Sequence, residues 1–394
     1  MSDAILVLNA GSSSIKFGLF EVASECEPRL LCKGMLDEHD AEPRLVVKDT
    51  SGGVLYEKHR HAADHDSEGL LLDTLGWVDS YLAADDLLAV GHRVVHGGQE
   101  FSAPVQIDER ILEALDELTP LAPLHQPRSL APVRAVMKLR PDMPQIACFD
   151  TAFHHSLIPA ARRFAIPRGL HDSGIHRYGF HGLSFEFIAQ RLHGMSPAQA
   201  GRRTVVAHLG SGASLCALRD GVSIDTTMGL TPLDGLMMGT RCGALDPGVV
   251  LYLQRVRGMS VAAIERMLYR ESGLLGVSGV SADMRALLAS ADPRAAEAVD
   301  LFTFRVAAEV AVMASSLAGL ECLVFTGGIG EHAAEVRQQV CDRLRWLGVM
   351  IDPTANAQAR PCISLADSRV MILVIPTSEE MMIAQQSQAV LKQR

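Results

Sequence analysis

The sequence predicts an α/β fold of two related domains facing across a cleft. Three observations carry that expectation. Apolar strand-like runs alternate with amphipathic helical stretches, the order that lays helices on sheets. A strand–turn–strand unit occurs twice, at the start of the chain and again from Thr204. The 394 residues are enough for two domains and leave room for a third.

Taken in order, Ala4–Asn9 reads as an apolar strand, AILVLN. The small-residue turn Ala10-Gly11-Ser12-Ser13-Ser14 follows it, and Ile15–Phe20 resumes as a strand. Glu109–Leu118 and Ser129–Lys138 have helical spacing, and Gln145–Phe149 reads as a short buried strand ending at Asp150. The second hairpin runs from Thr204–His208 through Leu209-Gly210-Ser211-Gly212-Ala213 to Ser214–Leu218. Superposing the copies sets Asn9 on His208, Gly11 on Gly210 and Ser12 on Ser211, which suggests an internal duplication. Helices are then expected at Ala262–Tyr269 and Arg294–Leu320, with a strand at Cys322–Thr326. After the turn Gly327-Gly328-Ile329-Gly330 a helix is expected from about Ala333, then a strand at Val370–Pro376 and a C-terminal helix from about Glu379. The expected division is 1–150 with the C-terminal helix segment 383–394 returning to it, and 151–382 as the second domain, with the nucleotide site.

Hydrophobic residues make up 48% and charged residues 21%, a composition suited to a packed globular protein. A net charge of −10 without lysine-rich runs argues against nucleic acid as a partner. The first residues pass directly into a strand without a basic segment, so no secretory signal is expected. The longest apolar stretch, Val306–Phe325, is interrupted by Glu309, Ser315, Ser316 and Glu321 and reads as a buried helix followed by a strand, not a membrane span. The eight cysteines have no metal-finger spacing, and reduced thiols in the cytoplasm are expected.

Several places could carry chemistry, each with an ordinary structural alternative. The turns at Asn9–Ser14 and His208–Gly212 offer backbone N–H groups suited to phosphate oxygens, or are simply polar β-turns. Gly327–Glu331 could meet a nucleotide at a helix start, or be a tight connection. No Walker sequence is present, so any ATP site lacks the common P-loop. Arg93 in HRVVHGG and Arg241 in MGTRCG sit beside glycines, where a planar guanidinium can reach an anion; a salt bridge is the alternative. His125 and His181 lie in LAPLHQP and YGFHG, although most histidines are structural. Asp150 ends a buried strand, the edge where ligands bind in open α/β sheets. Glu379 and Glu380 could hold Mg²⁺ through water or cap the last helix.

The ordered set LNAGSSSIKF, HRVVHGG, LAPLH, FDTAFH, RYGFHG, HLGSGAS, MGLTPLDGLMMGTR, LDPG, FTGGIGE and PTSEE resembles the successive motifs of the acetate kinase family, from Leu8 to Glu380. The resemblance implies a duplicated actin-like (ribonuclease H-like) fold. It also implies an ATP-dependent phosphotransferase with a carboxyl group as acceptor, Mg²⁺ with Mn²⁺ as a substitute, acetate as substrate and a homodimer. By the same resemblance Asn9 and Glu379 position the metal, and Asp150, His181, Arg241 and Arg93 are catalytic. Val95, Leu124, His125, Phe180 and Pro232, together with Arg93, bind the substrate. Lys16, His208, Leu209, Gly210, Ser211, Gly212, Asp283, Met284, Arg285, Gly327, Gly328, Ile329, Gly330 and Glu331 hold ATP. A carboxylate nucleophile titrates near ~4 and is already ionised at neutral pH, so it needs no general base. Arginines, a histidine and Mg²⁺ instead offset the repulsion between two anions, and direct in-line transfer to acetyl phosphate and ADP is expected.

Ser211 and Ser378 stand where asparagine is usual in these motifs, and Cys242 where serine is common. Cys242 beside Arg241 is expected to make the activity sensitive to thiol reagents. A propionate or other short-chain acyl kinase is the nearest alternative, since one methylene in an apolar pocket is worth only ~1–3 kcal/mol. A non-enzymatic actin-like nucleotide-binding module is the more distant one.

Overall fold

The computed structural model describes residues 3–11, 14–23, 26–37, 43–59, 67–82, 86–195 and 203–393. Ser12 and Ser13 of the first glycine–serine turn, and Arg394 at the end of the expected C-terminal segment, lie outside the described residues. By internal contacts the chain forms two compact units: Met1–Phe153 with Ser378–Arg394, and His154–Thr377.

The first unit holds an eight-stranded sheet of β1 (Ala4–Ala10), β2 (Ser14–Glu21), β3 (Arg29–Asp37), β4 (Arg44–Asp49), β5 (Val54–His59), β6 (Leu87–Val94), β7 (Val105–Gln106) and β8 (Gln145–Phe149), in the order β5-β4-β3-β2-β1-β6-β8-β7. Strands β1 and β8 are buried at every position, as expected of continuous apolar runs covered on both faces. The C-terminal helix Glu379–Leu391 supplies part of that cover through Met382, Ile383 and Ala384. At Gly91 a Cβ would meet Ser387 Oγ at 2.5 Å and Ile383 Cγ2 at 2.8 Å, so β6 requires glycine where the helix crosses it.

The second unit holds β9 (Thr204–Leu209), β10 (Ala213–Arg219), β11 (Val222–Thr226), β12 (Cys322–Thr326) and β13 (Met371–Val374), in the order β11-β10-β9-β12-β13. Its core helix, Pro293–Leu317, starts on an Asp292 cap whose carboxylate accepts from the Arg294 amide. Residues 298, 302, 306, 310, 313 and 317 of that helix bury one face against the sheet.

The two sheets share one plan. In each, a hairpin is flanked by an antiparallel strand on one side and two successive parallel strands on the other: β3-β2-β1-β6-β8 matches β11-β10-β9-β12-β13. The hairpin turns also correspond. Gly11 N donates to Ser14 O at 2.9 Å, and Gly210 N donates to Gly212 O at 2.9 Å across a turn one residue shorter. The duplication suggested by a few matched residues is therefore present as a repeated topology.

Some boundaries differ from the expectation. The helix expected from about Ala333 is present, and an additional short helix, Gly327–His332, precedes it, opened by Gly327 at φ +75° with the Glu331 carboxylate accepting its amide at 2.9 Å. Ala333 (φ −95°, ψ 84°) breaks the run, and a second helix spans Ala334–Arg343. The core helix stops at Leu317 rather than Leu320, where Ala318 and then Gly319 turn to positive φ. Among the described residues, no helix is long and apolar enough to cross a membrane.

Candidate active site

In the first unit, parallel pairing of β1, β6 and β8 brings their carboxyl ends to one edge, and three residues from the sequence analysis emerge there. Asn9 is near the end of β1, Arg93 near the end of β6, and Asp150 follows β8 directly. Arg93 clamps Asp150 with both prongs, Nε to Oδ1 at 3.0 Å and Nη2 to Oδ2 at 2.5 Å. Its Nη1 donates to Asn9 Oδ1 at 3.4 Å. The Asn9 amide in turn donates to Glu379 Oε2 at 3.0 Å and to Glu380 Oε1 at 2.9 Å. Burial works against the Arg93 charge, yet Asp150 foremost, then Glu379 and Glu380, hold its pKa above the ordinary guanidinium value. Glu380, which the family resemblance does not single out, is thus an equal partner of Asn9. The PTSEE wording held that signal, since adjacent carboxylates on the first turn of a helix can share one partner.

Three carboxylates and a side-chain amide around one guanidinium form a hard, anionic oxygen set, the donor chemistry that suits Mg²⁺. Among the described residues no group of three or more His, Cys, Asp or Glu is arranged to hold a metal by itself. Lys16 pairs across the hairpin with Asn9 at an exposed position. Val95 is buried just beyond β6. The loop it enters is held by Gln126, which accepts from the His96 amide and donates to the His96 and Leu115 carbonyls, each at 3.1 Å. Leu124 and His125 are half-buried at the start of the helix Gln126–Leu139.

In the second unit, the end of β9 leads into the Gly210–Gly212 turn, and two cationic or polar side chains converge on it. A Cβ at Gly212 would lie 2.7 Å from Arg241 Nη2 and 3.1 Å from His181 Nε2, so both tips already occupy the space above that glycine. Arg241 Nη1 also donates to the Pro232 carbonyl. Its loop is pinned by Gly239 N to Ser211 O at 3.1 Å and Leu274 N to Met238 O at 2.9 Å. His181 has φ +59°, a left-handed conformation unusual for a residue with a Cβ. Gly179 (φ +79°) precedes it, and the Phe180 carbonyl between them accepts from His154 Nε2 at 3.0 Å. His181 stacks on His208 at 4.3 Å between centroids.

The expected nucleotide residues other than Lys16 also fall within this unit. His208 and Leu209 are buried, Gly210 and Gly212 half-buried and Ser211 exposed. At the other carboxyl ends, Gly327–Glu331 follows β12, and the Glu331 carboxylate accepts from both Gly327 N and Thr377 N, tying β12 to the segment after β13. Arg337, 1% exposed, completes the turn: Nη1 donates to the Gly330 and Glu331 carbonyls at 2.8 Å, while Nε and Nη2 hold Asn356. Asp283 caps a short helix and pairs with Arg285 on the surface, with Met284 buried between them. Arg337, Ser184, Ser214 and Thr377 were not found by sequence reasoning; single hydroxyls and a helical arginine have no periodicity to mark them.

At Cys242 the structure weighs against the expected reactivity. It is half-buried, and burial foremost pushes its thiol above the ordinary value, which lowers rather than raises its reactivity.

Comparison with known proteins gives a consistent picture. The profile of the Acetokinase family matches residues 4–385. Acetate kinase of Rhodopseudomonas palustris (strain ATCC BAA-98 / CGA009) is 52% identical over 389 residues, covering 98% of this chain and 97% of the relative. Among solved structures, a propionate kinase from Francisella tularensis subsp. tularensis SCHU S4 superposes with a TM-score of 0.90 at 38% identity, covering 98% of each chain. Porphyromonas gingivalis acetate kinase gives 0.87 at 34% identity, covering 99% of this chain and 100% of its own.

Proposed function

This chain belongs to the acetokinase family and carries its duplicated actin-like α/β fold, and from that premise we propose that it is an acetate kinase, transferring phosphate reversibly between ATP and acetate. The observation that best supports the chemistry is the convergence of Arg241 Nη2 and His181 Nε2 above Gly212. Donors gathered at a glycine turn suit a reaction whose difficulty is charge rather than proton removal.

We assign the roles residue by residue. Arg93 orients the acetate carboxylate, and Val95, Leu124, His125, Phe180 and Pro232 contact the rest of the substrate. Asp150 orients Arg93: both of its oxygens accept from that guanidinium, an arrangement suited to positioning more than to abstracting a proton. A substrate carboxylate offers no proton to abstract in any case. Arg241 and His181 donate to the equatorial oxygens of the phosphoryl group in flight. Residues 208–212, 283–285 and 327–331, with Lys16, hold ATP through turn amides and the helix start at Gly327. Asn9 and Glu379, with Glu380 beside them, would hold Mg²⁺, with Mn²⁺ as a substitute. When bound, the ion supplies charge neutralisation at the phosphates. The two contact-defined units support reading the chain as two domains, the first of which takes back the C-terminal helix.

We also propose a homodimer. Val249, Leu251 and Tyr252 on the helix Pro247–Arg255, with Val256 and Val261 beyond it, leave an apolar run exposed, which supports that reading. Light scattering on the purified protein tests it.

The activity test is acyl-hydroxamate formation from ATP with acetate, propionate and butyrate in the presence of Mg²⁺. The highest kcat/KM is expected for acetate. A higher value for propionate would reassign the substrate, and no acyl phosphate with any acid would overturn the reaction.

A further inference from the structure

Three buried histidines of the second unit each meet a serine hydroxyl at Nδ1. His154 Nδ1 lies 2.8 Å from Ser223 Oγ, His181 Nδ1 2.9 Å from Ser214 Oγ, and His208 Nδ1 2.8 Å from Ser184 Oγ. In a neutral imidazole one nitrogen carries the proton, and the partner of the other decides which.

At His154 the partners settle the question. Its Nε2 faces the Phe180 carbonyl, which can only accept, so Nε2 carries the proton and the Ser223 hydroxyl donates to Nδ1. Burial lowers this imidazole to about 4, so it is neutral near pH 7. His181 and His208 repeat the arrangement with the other nitrogen aimed elsewhere. A Cβ at Gly212 would lie 3.1 Å from His181 Nε2, and one at Gly210 would lie 3.8 Å from His208 Nε2. Both Nε2 atoms therefore face the Gly210–Gly212 turn. The two rings stack at 18°. Behind Ser184 stands a second hydroxyl, Thr377 Oγ1, at 2.8 Å, and the Thr377 amide donates to Glu331. Thr377 can supply the proton that Ser184 accepts, leaving the Ser184 hydroxyl proton for His208.

We propose that Ser214 and Ser184, the latter backed by Thr377, are positioning residues that hold His181 and His208 as Nε2–H tautomers, presenting two neutral donors to phosphoryl oxygens at the Gly210–Gly212 turn. The inference rests on the kinase reading, because only an anion at that turn selects donors over lone pairs. The opposite tautomer would aim lone pairs at phosphate oxygens. The backing by Thr377 also links this pair to the carboxylate that ties down the Gly327 turn, so one hydroxyl chain joins the two stretches assigned to ATP.

The test is a long-range ¹H–¹⁵N correlation spectrum of the ring nitrogens of the full-length, ¹⁵N-histidine-labelled protein, assigned with His181→Gln and His208→Gln. Wild-type protein at pH 7.5 is expected to show protonated Nε2 and bare Nδ1 at both residues. Ser184→Ala and Ser214→Ala are expected to lower kcat about tenfold, with KM for acetate within twofold of wild type. Ser184→Thr and Ser214→Thr, which keep the hydroxyl, are expected to recover most of that loss. A wild-type Nδ1–H signal at either residue, or alanine variants with kcat within twofold of wild type, would overturn the proposal. If an alanine variant does not fold, the wild-type spectrum decides alone. Acyl phosphate formation by the same wild-type preparation is read separately, so a failed kinase reading is not confused with a wrong tautomer.

Discussion

Replacing Arg337 by methionine tests whether the turn assigned to ATP depends on a residue that cannot touch the nucleotide. The helix Gly327–His332 is only six residues long, and the carbonyls of its last turn have few partners of their own. Arg337 serves two of them, Gly330 O and Glu331 O, from one nitrogen, and uses the rest of its fork on the side chain and carbonyl of Asn356. Burial lowers its pKa, but the four acceptors hold the guanidinium in place of solvent. Methionine fills much of the stem volume while stranding those acceptors. Each buried acceptor left without a donor costs about 1–3 kcal/mol, and partial relaxation brings the total to about 3–5 kcal/mol. For a unit of this size each kcal/mol moves the midpoint by about 2–4 °C, so a drop of about 6–20 °C is expected in thermal unfolding. At a temperature where the variant is fully folded, KM for ATP should rise at least tenfold, because the displaced helix carries Gly327 and Glu331. KM for acetate should stay within twofold. Arg337→Lys should recover little, since one ammonium cannot span the same acceptors. A large loss of stability with an unchanged KM for ATP would refute the reasoning, as it would leave Arg337 a support for the fold and not for the turn.

Four further outcomes are expected. Gly212→Ala should leave the unfolding midpoint within a few degrees while cutting kcat at least about 100-fold, because its methyl group must displace Arg241 and His181; steady-state kinetics check this. His92 and His154 are both lowered by burial to about 4, below the unfolded value, so the unfolded chain binds more protons between the two values. Stability is therefore fully present above about pH 6.5 and falls as pH drops towards 4, by about 2 kcal/mol per histidine at pH 5; urea denaturation at pH 7 and 5 measures it, and equal midpoints would contradict it. Thiol labelling at pH 7.5 should reach the exposed Cys26 and Cys362 before Cys242, with activity retained when those two are modified; peptide mapping against residual activity decides. Chelation should abolish phosphoryl transfer and added Mg²⁺ or Mn²⁺ restore it, while Glu379→Gln should raise the half-saturating Mg²⁺ at least tenfold; an unchanged metal requirement in that variant would remove Glu379 from the metal site.

What the sequence made legible, and what it hid, divides along a physical line. Strands β8 and β12 were read with their observed ends because each is a short apolar run buried on both faces and closed by Asp150 or Gly327. No strand was read between Phe20 and Gln145, yet β3 to β7 lie there. Strands β3, β4 and β5 are partly exposed and mix Arg, Lys, Asp and Glu with apolar residues. Strand β6 contains Gly91, a poor strand former required by a helix that crosses it from far along the chain, and is held by its pairing with β1 and β8. Such a dependence is written in tertiary packing and not in local propensity.

The candidate site follows the same rule at finer grain. Residues recognisable from motif wording, Asn9, Arg93, Asp150, His181, Arg241 and Glu379, stand at strand ends, in glycine-flanked loops or, for Glu379, at a helix start, where backbone constraint leaves a local trace. Their supports do not: Ser184 meets Thr377 across 193 positions, and Arg337 meets Asn356 from within an ordinary helix. The repeated sheet explains why the first group was readable at all. Strands β1 and β9 occupy the same place in two copies of one topology, with Asn9 near the end of one and His208 near the end of the other. One copy gathers carboxylates around Arg93 and the other gathers an arginine and a histidine around Gly212. The proposed division of labour between anionic metal-side groups and phosphate-side donors thus falls at equivalent positions of a duplicated scaffold, and the residues that would enforce it are the ones whose partners lie far away in sequence.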